Sequence, residues 1–121
     1  MRRPFHSNAL PHGLEALFYT YDSAVLRQTL SASRAATADT PHFHVHYAVK
    51  ACATPGVLRI ISESGLGADC VSGGEIERAA DCGFSPSDIV FAGVGKSDRE
   101  IEIALELGIC CFNVESLPEL E

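Results

Sequence analysis

A lysine at the end of an apolar, β-forming run is the residue of this sequence best suited to covalent chemistry. Residues 42–50 read HFHVHYAVK, so Lys50 closes a segment that otherwise resembles the inside of a sheet. A desolvated lysine loses its proton more readily, and the free amine can attack a carbonyl to form a Schiff base. Asp69 and Glu75 would add negative charge nearby and orient the lysine. The alternative is an ordinary lysine whose ammonium reaches water, with two solvated carboxylates, and position alone leaves both open.

The elements that must position these residues alternate between short apolar strands and one-faced helices. Strands are predicted at 42–50, 67–71, 88–93 and 109–114, and each is followed by a helix-capping residue, namely Thr54, Ser72, Ser97 and Ser116. Such alternation predicts an α/β fold with a parallel sheet of about four βα units. In parallel folds functional groups gather at the carboxyl ends of the strands, where Lys50 lies.

Four units are half of what a closed (β/α)8 barrel needs. We therefore expect residues 22–121 to be the N-terminal half of a TIM barrel, with the last helix continuing past Glu121. Residues 1–15 are predicted to be irregular. The β-forming run at 16–21 is predicted to be a strand of a second β domain. A complete four-strand doubly wound domain is the alternative.

Composition limits the classes of function. With 46% hydrophobic and 21% charged residues the chain is typical of a globular protein rather than a disordered one. A net charge of −7 argues against a nucleic-acid partner or an anionic membrane surface. No apolar run is long enough to span a membrane, and no signal peptide is recognisable. Five cysteines without a Cys-x-x-Cys pair indicate reduced core thiols and a cytoplasmic protein.

Four segments together carry a resemblance to a known family. They are HYAVKAC (46–52), GLGADCVSGGEIERAADCGF (65–84), IVFAGVGKSDREIEIALELGI (89–109) and CFNVESLPELE (111–121). In order and spacing, from about residue 17 to the end, they resemble the pyridoxal-phosphate-dependent diaminopimelate decarboxylases. These belong to the alanine-racemase-like barrel class, with ornithine and arginine decarboxylases as relatives.

The resemblance implies a role for each matching residue. Lys50 would hold pyridoxal 5'-phosphate as an aldimine and act as the catalytic residue. Asp69 and Glu75 would line the cofactor site, and Ala48 would be the small residue beneath the cofactor. The implied reaction is decarboxylation of meso-diaminopimelate to L-lysine, the last step of lysine biosynthesis. The implied partners are a small amino-acid substrate and a second subunit in a homodimer of the full-length protein.

The chain departs from the family pattern in two places. Cys52 stands where the family usually has asparagine, and a thiol offers fewer hydrogen bonds, so the loop after the strand is expected to be less well fixed. GVGK (93–96) stands where most members have Gly-Asn-Gly-Lys. The family's phosphate loop, its carboxylate-binding arginines and its catalytic cysteine come later in the sequence. The 121 residues alone are therefore expected to be inactive.

Rival interpretations remain open. Another decarboxylase or a racemase of the same barrel class, or a non-catalytic homologue, would share most of these features. His42, His44 and His46 on one strand face could instead indicate a metal-dependent barrel hydrolase, although they precede the strand end and are better read as packing residues, with no metal. GVGKS (93–97) fails the P-loop pattern and is interpreted as a helix cap. SGGE (72–75) could bind an anion but is interpreted as a tight strand-to-helix turn.

Overall fold

The structure, a computed structural model, describes residues 19–120. Within these residues five helices and four strands alternate, and two 3-10 turns lie at Val49–Ala51 and Pro86–Asp88. The helices are α1 Ser23–Thr37, α2 Pro55–Glu63, α3 Gly73–Asp81, α4 Asp98–Leu107 and α5 Leu117–Leu120, and the strands are β1 His46–Ala48, β2 Gly67–Cys70, β3 Ile89–Phe91 and β4 Cys111–Phe112. The predicted order of elements is confirmed.

All strand pairs are parallel, and the order in the sheet is β1-β2-β3-β4, the same as along the chain. A doubly wound domain needs a reversal of strand order, which the described sheet does not contain. A sequential parallel sheet is the arrangement of consecutive βα units in a barrel. The prediction of four barrel-like units is therefore confirmed, and the doubly wound alternative is wrong.

The first strand is much shorter than predicted. β1 covers His46–Ala48 rather than residues 42–50, because its partner β2 begins at Gly67, which pairs with His46. Between the end of α2 and Gly67 the chain turns at Gly65, whose φ of +78° only glycine adopts readily. Residues 42–45 therefore lie ahead of β2 and pair with no strand among the described residues, and residues 49–51 form a 3-10 turn.

The hydrophobic core lies between the sheet and the helices. One face of the strands contributes Ala68, Cys70, Ile89 and Phe91, all buried, and the helices contribute Leu58, Ile61, Ile76, Ala79 and Ala104. Side chains alternate along a strand, so the opposite face carries Ala48, Asp69, Val90 and Cys111, which follow one another in register across the four strands. This interior row, Ala48–Asp69–Val90–Cys111, faces away from the helices.

Helix starts and stops follow the sequence signals closely. Pro55 opens α2, Ser72 accepts a hydrogen bond from the Glu75 amide at the start of α3, and Ser97 with Glu100 forms a capping box at α4. Gly108 ends α4 in the left-handed conformation at φ +67°. None of the helices in residues 19–120 has the length and apolar character needed to cross a membrane.

The leading strand is untested by the described residues, and three of the five cysteines differ from expectation. Residues 16–18 lie outside the described residues, and Tyr19 to Asp22 have no regular secondary structure, so the strand of a second β domain stays a prediction. All five cysteines are free thiols, but Cys110 and Cys111 are exposed and Cys52 is half-buried. The expectation that they are core residues is correct for Cys70 and Cys82 alone.

Candidate active site

Lys50 lies in the 3-10 turn directly after β1, at the carboxyl edge of the sheet. Val49, its fully buried neighbour, fixes the turn to the core, and the Cys52 amide closes it by donating to the Val49 carbonyl at 3.1 Å. Lys50 itself is exposed, and within residues 19–120 it makes no hydrogen bond or ion pair. The prediction that Lys50 is the last residue of the first strand is wrong, because residues 49–51 form a 3-10 turn, and its side chain is not desolvated by the described residues. The structure instead presents an unengaged amine at the edge where chemistry is expected.

Asp69 is the residue opposite Ala48 in the register of β1 and β2. Its Oδ1 atom is buried and has no hydrogen-bond partner among the described residues. A buried carboxylate oxygen without a partner is costly, and such an atom commonly marks a site that a ligand or cation completes. Ala48 is the last residue of β1, and Lys50 lies two residues later in the 3-10 turn that follows this strand. The structure therefore brings Ala48, Asp69 and the Lys50 turn to one corner of the sheet.

Glu75 is held by the backbone. Its Oε2 accepts a hydrogen bond from the Val71 amide at 2.8 Å, and its own amide donates to Ser72 Oγ at 3.3 Å. In a capping box the Glu75 carboxylate would accept from the Ser72 amide, whereas here it accepts from the amide one residue earlier, that of Val71. Glu75 fixes the turn between β2 and α3, and no ion pair joins it to Lys50 in the described part of the chain.

The loop after Lys50 is better fixed than the loss of asparagine suggested. Cys52 Sγ lies 3.4 Å from both Tyr21 Oη and Thr54 Oγ1, and Tyr47 Oη donates to the Cys52 carbonyl at 3.3 Å. Hydrogen bonds with Thr54 and then Tyr21 lower the pKa of Cys52 below the usual thiol value, because hydroxyl groups stabilise the thiolate. The partial burial of Tyr47 raises the pKa of that phenol.

The glycine-rich turn SGGE already holds a carboxylate from within the chain. Glu100 Oε1 accepts from the Gly73 amide at 2.9 Å, while Oε2 accepts from the Ser97 amide at 3.1 Å and from Ser97 Oγ at 2.8 Å. These bonds, with the one from Gly73 first, lower the pKa of Glu100. A single side chain therefore caps both α3 and α4. The amide that an external anion would use at Gly73 is taken, which supports the turn interpretation.

Lys96, in the loop GVGKS (93–97), makes contacts that the sequence did not reveal. Lys96 buries its side chain to 2% exposure, donates to the Asn113 carbonyl at 2.8 Å and to the Glu119 carboxylate, and places Nζ 5.3 Å from the centre of the Phe91 ring. The helix cap at Ser97 is confirmed. Lys96 and Glu119 are 23 residues apart, so no local pattern could have predicted their pairing.

The chain contains two lysines, and the structure treats them in opposite ways. Lys96 is buried with two acceptors, so its amine is not available to a carbonyl. Lys50 is exposed and unengaged among the described residues. Schiff-base formation needs a free, reachable amine, so the geometry selects Lys50 between the two.

The three histidines do not share a strand face. His42 and His44 are exposed and precede β1, and only His46 lies in it. Within residues 19–120 no three histidine, cysteine, aspartate or glutamate side chains are grouped as a metal site would need. His46 packs on Gly67, where an added Cβ would come within 2.8 Å of the imidazole ring and 2.6 Å of the Asp88 carbonyl oxygen. His46 therefore packs against β2, and its Nδ1 is buried without a hydrogen-bond partner among the described residues.

A sequential parallel α/β sheet with an exposed lysine directly after its first strand is the arrangement found in part of a βα barrel, the fold class to which this chain is assigned. Comparison with known proteins narrows the class. A family profile described as "Pyridoxal-dependent decarboxylase, pyridoxal binding domain" matches residues 25–121. The chain belongs to this family of pyridoxal-dependent decarboxylases.

Individual relatives agree with the family. Diaminopimelate decarboxylase of Bacteroides thetaiotaomicron is 63% identical over 108 residues, which are 89% of this chain and 28% of the relative. The crystal structure of diaminopimelate decarboxylase from Helicobacter pylori complexed with L-lysine has a TM-score of 0.81 at 40% identity, covering 89% of this chain and 27% of that one. The arginine decarboxylase of Paramecium bursaria Chlorella virus has a TM-score of 0.68 at 28% identity, covering 79% and 25%. The chain therefore spans about a quarter of the length of these relatives.

The residues at this corner of the sheet fit a pyridoxal cofactor as a covalent anchor. Lys50 offers an amine to an aldehyde, Asp69 Oδ1 is an acceptor with no partner within residues 19–120, and the small side chain of Ala48 adds little bulk on the face that carries Asp69. The only helix N-terminus that the sequence suggested for a phosphate is occupied by Glu100. The described residues therefore fit the aldehyde end of the cofactor and not its phosphate.

Proposed function

We propose that this chain supplies the covalent anchor of a pyridoxal 5'-phosphate-dependent decarboxylase that converts meso-diaminopimelate to L-lysine. The observation that carries the proposal is the contrast between the two lysines of the chain. Lys50 is exposed at the same edge of the sheet as Asp69, whose Oδ1 has no partner among the described residues, whereas Lys96 is buried in an ion pair. The 63% identity to a diaminopimelate decarboxylase and the lysine complex of the Helicobacter pylori relative support the choice of substrate.

Each residue at the corner has a proposed task. When bound, pyridoxal phosphate supplies an electron sink that stabilises negative charge at the substrate Cα after loss of CO2. Lys50 holds the cofactor through its ε-amine and returns to that role after each turnover. Asp69 offers Oδ1 as a counter-charge for the Lys50 nitrogen when that nitrogen is protonated. Ala48 keeps the face beneath the cofactor free of side-chain bulk.

Glu75 has a supporting task in this scheme. Because its carboxylate fixes the Val71 amide, it keeps the end of β2, and so Asp69, in place. Its negative charge also balances the positive charge of the Lys50 nitrogen at the carboxyl edge of the sheet when that nitrogen is protonated. We assign it to the cofactor site through this positioning and not as a proton donor.

The proposal extends to the whole protein. We propose a homodimer located in the cytoplasm, serving the last step of lysine biosynthesis, and no catalysis by the 121 residues alone, because the phosphate-binding and substrate-binding parts are expected from other segments. Measurable CO2 release from the purified 121-residue chain would contradict the last point.

The test of the anchor is chemical trapping. The complete gene product is incubated with pyridoxal phosphate and reduced with borohydride, and the modified peptide is identified by mass spectrometry. We expect the adduct on Lys50, none on Lys96 in the same digest, and loss of the adduct in Lys50→Ala. An adduct on Lys96, or equal labelling of both lysines, would refute the assignment.

The similarity to an arginine decarboxylase supports a second candidate, a decarboxylase of another basic amino acid. CO2 release by the complete gene product from meso-diaminopimelate, L-arginine and L-ornithine separates the two. We expect activity on meso-diaminopimelate, and a preference for either of the others would favour the second candidate.

A further inference from the structure

Lys96 is a buried cation for which the proposed chemistry has no use. Lys96 lies in the loop that follows β3, and its side chain extends to the segment that follows β4. There it donates hydrogen bonds to the Asn113 carbonyl, at 2.8 Å, and to the Glu119 carboxylate of α5. Its side chain is 2% exposed and that of Glu119 is 19% exposed, so the pair is shielded from water. A shielded, hydrogen-bonded ion pair constrains its neighbours far more than a surface pair does.

The acceptor of this pair is itself fixed to the same loop. Glu119 Oε2 accepts from the Glu115 amide at 2.8 Å, while Oε1 receives Lys96. The hydrogen bond from Lys96, followed by that from the Glu115 amide, lowers the pKa of Glu119. The carboxylate is therefore ionised at neutral pH, and it joins the β3 loop to the start of α5.

Asn113 is the point at which this arrangement reaches the interior side of the sheet. Its amide donates to the Phe91 carbonyl at 2.9 Å and its carbonyl accepts from Lys96, so both of its backbone groups are engaged. Asn113 is two residues beyond Cys111, which lies in the interior row with Ala48 and Asp69. By strand alternation Asn113 belongs to that same face, at its carboxyl edge.

We propose that Lys96 is a positioning residue that holds the carboxyl end of β4, through Asn113, in the geometry required for cofactor binding at Lys50. This inference rests on the proposed function. Lys96 acts from the helix side of the sheet, and its effect appears on the opposite side, where Lys50 and Asp69 lie. Without the ion pair, residues 113–115, which follow β4, depart from this geometry in part of the molecules. Only the remaining molecules can bind the cofactor.

The test compares Lys96→Met, which keeps the length of the side chain but removes its donors, with Arg27→Met as a matched control. Arg27 forms an exposed ion pair with Glu63, in which both side chains are more than half exposed, at 57% and 59%. Two quantities are measured on the complete gene product: amide hydrogen exchange over residues 113–115, and the Kd of pyridoxal phosphate from its absorbance when bound at Lys50.

We expect Lys96→Met to speed exchange of these amides about tenfold, to leave the β2 amides unchanged, and to raise the Kd about tenfold, because the apparent Kd scales inversely with the competent fraction. Arg27→Met should change neither quantity. Glu119→Gln keeps the bond from Lys96 to Asn113 and provides a milder variant, with smaller changes in the same direction, should Lys96→Met fail to fold.

The outcomes separate the two proposals. If exchange rises over 113–115 and the Kd stays at its wild-type value, Lys96 orders a loop and positions nothing, and this inference is overturned. A rise in exchange throughout the chain would show a general loss of stability and would overturn it as well. A wild-type protein that forms no adduct at Lys50 would overturn the proposed function together with this inference.

Discussion

Gly93, the first residue of the loop GVGKS (93–97) after β3, allows the packing of this region to be tested by a single substitution. A Cβ added at Gly93 would lie 2.3 Å from the Val71 carbonyl oxygen, 2.9 Å from the Val71 carbonyl carbon and 3.0 Å from Phe91 Cε2. The contact atoms are backbone and a buried ring rather than the end of a flexible side chain. The Val71 amide is also held by Glu75, so this part of the backbone cannot easily move aside. We therefore expect Gly93→Ala to be destabilising.

The magnitude follows from two opposing effects. Overpacking of a tightly packed region costs about 1–3 kcal/mol, and a contact about 1 Å too short with backbone places this case at the upper end. The alanine reduces the entropy of the unfolded chain, which returns about 0.4–1 kcal/mol. The net loss is about 2 kcal/mol, which corresponds to a fall in Tm of roughly 6–8 °C for a chain of this size.

The matched control is Gly56→Ala. Gly56 lies in the first turn of α2, and an added Cβ there meets nothing within 4 Å. Alanine at a helical position without steric conflict should stabilise the protein by about 0.5–1 kcal/mol. The assay is urea denaturation followed by circular dichroism on wild type and both variants, with thermal melts as a second measure.

The opposite signs of the two glycine variants are the decisive result. A Gly93→Ala protein within about 0.5 kcal/mol of wild type would refute the reasoning, because the neighbour at 2.3 Å would then have to yield at almost no cost. Destabilisation by both variants would show instead that alanine is disfavoured at both sites for reasons other than the Val71 contact.

Three further predictions concern helix caps, thiols and the core. The lowered pKa of Glu100 contributes stability that is complete above the usual glutamate pKa and is lost as pH falls through the lowered value. Glu100→Gln should therefore weaken the fall of the free energy of unfolding at acid pH. Denaturation between about pH 7 and about pH 3 measures this. Cys52, whose pKa is lowered, should react with iodoacetamide at lower pH than an ordinary thiol. Burial, together with the nearby Glu75 and Asp69, raises the pKa of Cys70 to about 12, so Cys70 should not react. Peptide mapping of the alkylated protein measures both. Leu58→Ala, at a fully buried site in α2, should cost about 2–5 kcal/mol in urea denaturation.

Each of these has a control within the chain. Glu106→Gln, on the exposed side of α4, should leave the acid limb as it is, and an equal effect of both variants would remove the special role of Glu100. Alkylation of Cys70 in the native protein at the rate of Cys52 would contradict the burial argument. Leu105→Ala, at a site that is 64% exposed, should cost less than about 1 kcal/mol, and a loss equal to that of Leu58→Ala would contradict the described core.

The amino-acid sequence by itself determined the order of helices and strands, the parallel α/β class and most helix boundaries. These features depend on local signals: apolar periodicity, capping residues such as Ser72 and Ser97, and glycines that end helices. The family was also recognisable from short segments, because a match around Lys50, Asp69 and Glu75 needs only residue types at fixed spacing.

Only the tertiary structure decided which groups meet. Residues 42–45 have strong β propensity, yet β1 begins only at His46, opposite the first residue of β2, because a strand exists only against a partner. The exposure of Lys50 and the burial of Lys96 depend on packing between segments that are far apart in the chain. The same is true of Glu100, which reaches from α4 to the Gly73 amide, 27 residues away, and of Asp69 Oδ1, which is buried without a partner in the described part of the chain. Sequence patterns describe neighbours along the chain, whereas a site depends on neighbours in space.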